Sequence, residues 1–175
     1  MVSKKPLPEG AKAEVEEIVK LLKASSPRID EAIAQMGEWL MAPPWAYDGK
    51  ANYKFNDLVS FLKYKRGWCG HFQTLFLAVC QAAGIPARPI HGFALYNKKG
   101  ELFQGFTDYN RHGWVEVYLP NKGWVEVEPR SKDPFRIPWQ YVATPESLQS
   151  CQVQVKIGDQ WTSHLGYVDT VVTRP

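Results

Sequence analysis

The sequence predicts an α+β fold in which helices come first and antiparallel strands follow. Three observations carry that expectation. Apolar residues recur at helical spacing through the first half of the chain, the period changes to two after Pro89, and turn residues punctuate the strand-like runs. At 175 residues the chain reads as a single domain, long enough to bury about two thirds of its unfolded surface. The expected order is N-terminal helices over 1–45, a core over 47–130 and C-terminal strands to 175.

Val15, Ile18, Val19 and Leu22 recur at helical spacing among charges, so Glu9 to Lys23 is expected as a helix. Ser25-Ser26-Pro27 breaks it. A second helix carries Ile29, Ile33, Met36, Trp39 and Leu40 on one face and stops at Pro43-Pro44. The stretch WAYDGKANYKF is rich in turn residues. Asn56 or Asp57 then caps a short helix through Leu58, Phe61 and Leu62, which Gly67 is expected to close. Cys69 to Ala83 reads as a strong helix with Phe72, Leu75, Phe76, Val79, Cys80 and Ala83 as its apolar stripe. Gly84 fits the left-handed position after it, and Pro86 prevents continuation. Beyond Pro89, GFALYN and ELFQGF are expected as a hairpin about Lys98-Lys99-Gly100. HGWVEVYL and GWVEVE form a second about Pro120-Asn121-Lys122, and QVQVKI and GYVDTVV a last pair.

A formal net charge of +3, from 21 basic and 18 acidic residues, is too balanced to argue for a nucleic-acid partner. Lys63, Lys65 and Arg66 read as a solvated helix end, where cations favour the macrodipole. Three cysteines without a CxxC pair or zinc-like Cys/His spacing give neither a disulfide framework nor a metal site. No cofactor is implied. MVSKKPLPEG lacks the apolar region of a signal peptide, and no run nears the ~18 apolar residues of a membrane span. A cytoplasmic chain with no membrane partner is therefore expected, although a chain trimmed from a longer protein reads the same way. Oligomeric state is left open.

Chemistry concentrates in RGWCGHFQTLFLAVCQAAGIPAR. A thiol at a helix N-terminus lies beside unpaired N–H groups that favour the thiolate, and Cys69 occupies that place. Cys80 lies three turns on, roughly 16 Å away, and reads as core. A nucleophilic cysteine needs a base and a group to orient it. Of the four histidines, His71 is expected to point away from Cys69 into a surface or half-buried role. His91 enters a strand with no acidic neighbour in sequence, and His164 is read as part of a polar loop. His112 begins HGWVEVYL, sharing a face with Trp114, Glu116 and Tyr118. If even-numbered residues face even-numbered ones across the hairpin, Glu128 comes opposite or diagonal to His112, roughly 5–8 Å between Cβ atoms. An odd register separates them. Glu116 and Glu126 are the competing carboxylates.

Gly67-Trp68-Cys69, the helix AVCQAAGIPAR and the paired strands of HGWVEVYLPNKGWVEVEP together resemble the transglutaminase-like superfamily, over about Tyr47 to Arg130. The resemblance implies a papain-like, transglutaminase-core fold with the nucleophile at the N-terminus of a central helix packed on an antiparallel sheet. It also implies Cys69 as nucleophile, His112 as base and acid, and the position of Glu128 as orienting acid. One residue departs from the family pattern: the third member is normally Asp. Glu reaches one methylene further and serves the same electrostatic role. In transglutaminases an upstream indole helps hold the oxyanion, which singles out Trp45 and Trp68.

The expected function is cysteine-dependent acyl transfer, in which Cys69 cleaves a peptide or glutamine-type amide through a thioester. A peptide or protein substrate is implied. Hydrolysis, as by a cysteine peptidase, is the leading form, because the chain is small. Protein-glutamine gamma-glutamyl transfer, which cross-links proteins, is the alternative; arylamine acetyl transfer is opposed by the His-x-Trp-x-Glu strand. A non-catalytic binding module with a retired site is the reading from another class.

Overall fold

Helix punctuation in the sequence is realised closely. The computed structural model describes residues 6–26, 28–54, 56–95, 110–137, 141–144, 153–157 and 160–164. Helix α1 spans Glu9–Ser25 and α2 spans Ile29–Met41. Strand β1 (Ala46–Tyr47) follows. Helix α3 (Leu58–Tyr64) is capped by Asp57, whose carboxylate accepts the Ser60 N–H at 3.0 Å. It is closed by Lys65 in the left-handed region, φ 54°, and not by Gly67 as the sequence suggested. Strand β2 (Arg66–Gly67) pairs in parallel with β1, Tyr47 opposite Gly67. That pairing was not legible, because two-residue strands carry no alternation. Helix α4 runs Cys69–Ala83 and ends on Gly84 at φ 77°, where a side chain is strained and glycine is not.

Strands β3 (Ala87–Ala94), β4 (Arg111–Leu119), β5 (Gly123–Val127) and β6 (Tyr141–Thr144) form one sheet in the order β5-β4-β3-β6. The second hairpin is as expected: β4 and β5 pair antiparallel, Glu116 opposite Glu126 and Tyr118 opposite Trp124. ELFQGF and GYVDTVV, each expected as one arm of a hairpin, lie outside the described residues. Strand β7 (Val153–Ile157), within QVQVKI, pairs instead with β8 (Gln160–His164). Ile157 opposes Gln160, so the partner of QVQVKI comes from QWTSH and not from GYVDTVV. His164 accordingly ends a strand and is not in a polar loop.

By contacts the chain divides into two units, Met1–Pro89 with Trp114–Ile137, and Ile90–Gly113 with Pro138–Pro175. The described residues of the first hold an apolar cluster. Ala11, Val15, Ile18 and Val19 of α1, Ile33, Met36 and Leu40 of α2, and Leu58, Phe61 and Leu62 of α3 pack with Phe72, Leu75, Phe76 and Val79 of α4. Val115, Val117, Leu119 and Val127 close it from the sheet. These odd-numbered residues leave the even face of β4 and β5 for polar and aromatic groups. In the second unit β6 pairs antiparallel with β3, His91 opposite Thr144, and the buried Asn110 donates to the Ala94 carbonyl at 3.2 Å.

Candidate active site

Cys69 is the first residue of α4 and is 9% exposed. Its place follows from the residues before it. Asp48 N–H donates to Gly67 O at 2.7 Å and Ala46 N–H to Lys65 O at 2.8 Å, so Arg66 and Gly67 are held straight and the helix starts immediately after Trp68. The first N–H groups of a helix have no partner within it.

His71 departs from its expected surface or half-buried role, being completely buried. Its ring turns back on its own helix. Nδ1 accepts the Trp68 N–H at 3.1 Å, and Nε2 donates to the Tyr53 carbonyl at 3.3 Å, which fixes a neutral tautomer. Burial lowers its pKa, against the raising effect of the backbone bonds at Tyr53, Lys54 and Trp68 and the Asp57 charge. The same ring explains Gly67: a Cβ there would lie 2.7 Å from His71 Cγ. Glycine is required here for space, not as a helix breaker.

The two competing carboxylates are engaged elsewhere. Glu116 is ion-paired to Arg88, and Glu126 accepts the Trp114 indole N–H at 3.0 Å. Glu128 follows β5 directly; its backbone N–H donates to Pro134 O at 2.8 Å, and its charge is felt at Tyr47 together with those of Cys69 and Arg130. Cys69, Tyr47, Glu128 and Arg130 thus belong to one neighbourhood of the first unit. His112 is the second residue of β4, half-buried, in the second unit. His91 lies within β3 with an exposed side chain.

Sequence reasoning missed Tyr47 and Arg130. The Tyr47 ring stacks on Phe72, centroids 6.4 Å apart and planes within 2°. The Arg130 guanidinium lies 6.0 Å from the Tyr47 ring centre and 5.4 Å from that of Phe72. Nothing local in the sequence joins positions so far apart. Of the two indoles considered, Trp45 is a core group, 4% exposed, packed against Trp39, Phe61 and Phe72. Trp68 packs edge-on against His71.

A family model, the transglutaminase-like superfamily, matches residues 16–129, more than half of the chain. The chain belongs to that superfamily. This transglutaminase-like chain is 28% identical to a protein-glutamine gamma-glutamyltransferase of Pseudomonas aeruginosa, over 69% of its own length and 16% of that protein's. It is 39% identical over 71 residues to the uncharacterized protein YebA of Bacillus subtilis, 37% of its own length and 10% of that protein's. Among solved structures it resembles the periplasmic domain of TgpA from Pseudomonas aeruginosa, with a TM-score of 0.56 and 26% identity, covering 71% of this chain and 46% of that one. A candidate cysteine protease from Cytophaga hutchinsonii, 17% identical with a TM-score of 0.53 over 78% of this chain and 43% of that one, shows the same fold. The chain spans less than half the length of each of these relatives. The α+β fold with the cysteine at the start of the helix is therefore that of the transglutaminase-like and cysteine-protease structures.

Proposed function

We propose that the chain carries a thiol-dependent acyl-transfer site with Cys69 as nucleophile, His112 as general base and acid, and Glu128 as the carboxylate that orients His112. One observation carries the reading. Cys69 is the first residue of a buried helix inside a family match that takes in all three residues. The Cys69 thiolate attacks an amide carbonyl of a peptide or protein, His112 protonates the departing nitrogen, and a thioester remains. The Cys69 N–H is a natural donor to the oxyanion formed on the way.

The thioester is resolved by an amine or by water. The Pseudomonas aeruginosa relative, a gamma-glutamyltransferase, favours an amine acceptor and a glutamine-type donor. The small size of the chain does not favour hydrolysis, because the relatives extend well beyond the matched region.

Alkylation of Cys69 by iodoacetamide against pH, with Cys69→Ala as control, tests the nucleophile. A profile of an ordinary thiol near pKa ~8.5 removes the proposal and leaves the binding-module reading. Ammonia release from a glutamine peptide, with and without added amine, then decides the second step. Transfer predicts that amine is incorporated into the peptide; hydrolysis predicts glutamate regardless of amine.

A further inference from the structure

Arg130 carries a charge that the described residues leave unanswered. It follows Glu128 by two positions, and its backbone N–H lies 3.5 Å from Glu128 Oε1. The guanidinium rests against aromatic rings, its Cζ 5.4 Å from the centre of Phe72 and 6.0 Å from that of Tyr47. Among the described residues no carboxylate forms an ion pair with it. Its Nε–H is buried and has no hydrogen-bond acceptor among them. Buried donors are ordinarily bonded, and the planar guanidinium fork is shaped for a carboxylate.

The charge stands beside the cysteine. Phe72 follows Cys69 by one turn of α4, where Cβ atoms lie about 5–6 Å apart. Tyr47, which stacks on Phe72, is set by β1 and β2 opposite Gly67, two residues before Cys69. The guanidinium therefore flanks the first turn of α4, within about two residues of extended chain from Cys69. Arg130 is half-buried, so its charge is less screened than one on an open surface. The rings also hold the fork in place, which lowers the cost of ordering it around a ligand.

We infer that Arg130 is a specificity-determining residue that receives a carboxylate of the acyl donor, either the donor residue's own α-carboxylate or an acidic side chain one or two positions away. This rests on the acyl-transfer reading of Cys69 and narrows its substrates to anionic amides.

The test uses glutamine peptides in matched pairs: a flanking Glu against Gln, and a free against an amidated C-terminal glutamine. For wild type, kcat/KM is expected to be about tenfold higher for the anionic member of at least one pair; that pair identifies the source of the carboxylate. Arg130→Gln should bring the ratio near one, and Arg130→Glu should invert it. No preference in wild type overturns the inference. A ratio that survives Arg130→Gln also overturns it, making Arg130 a brace for the rings. So does an unchanged ratio with the iodoacetamide profile of Cys69 moved to higher pH, since Arg130 would then serve the thiolate. Thermal unfolding checks the fold, and Arg130→Lys, which keeps the charge without the fork, should retain part of the preference. Titration of the same pairs onto Cys69→Ala reads Arg130 without chemistry. An anionic preference there beside an ordinary thiol in wild type removes the acyl-transfer proposal and keeps the carboxylate site. Equal binding beside an activated thiol removes only the role of Arg130.

Discussion

Cys69 and Cys80 share a helix yet face different chemistry. Burial alone pushes the Cys80 thiol up to about 12, so it stays protonated and inert in the folded protein. Brief alkylation of the native chain followed by peptide mapping should therefore label Cys69 and leave Cys80 unmodified until denaturant is added. Labelling of native Cys80 would contradict its place in the core. Removal of the proposed base has a separate signature. His112→Ala is expected to lower acyl transfer by about 10²–10⁴-fold while leaving urea unfolding nearly unchanged. Glu128→Gln should lower it less, with His112 present but poorly oriented.

At the scale of elements, the segment after β5 is braced by a glycine in α2. A Cβ on Gly37 would meet Ser131 O at 2.5 Å and Pro134 at 3.3 Å, and Pro134 O holds the Glu128 N–H. Gly37→Ala therefore pushes on the backbone that positions Glu128. It is expected to destabilise the fold by about 1–3 kcal/mol, read as a lower urea midpoint, and to reduce turnover below the melting transition. Gly67→Ala meets the His71 ring in the same way. The Gly-Trp-Cys run is thereby explained: glycine makes room for the ring, Trp68 supplies the N–H that the ring accepts, and the helix begins at Cys69.

For the whole molecule, His71 links the cap of α4 to acid stability. Its folded pKa lies below the unfolded value, so the unfolded chain binds more protons as pH falls and stability falls with it. The loss begins as pH drops through about 6.5 and ends below the folded pKa. Urea unfolding between about pH 7 and pH 5 should show this slope, and His71→Asn should flatten it at a lower overall stability. A variant with an undiminished slope would place the effect on other groups.

The sequence by itself determined the class of fold, the four helices, the strand pair β4–β5 and the candidate residues Cys69, His112 and Glu128. Each is written in local periodicity or a short motif, where one residue's neighbours in sequence are its neighbours in space. It also carried the family, since the order and spacing of those motifs survive where overall identity is low. Only the tertiary structure decided what long loops bring together: the pairing of β1 with β2, the turn of His71 into the core, the engagement of Glu116 and Glu126, and the stacking of Tyr47 on Phe72. Such contacts join positions tens of residues apart, and their closure depends on how helices and sheet pack, which no local pattern encodes.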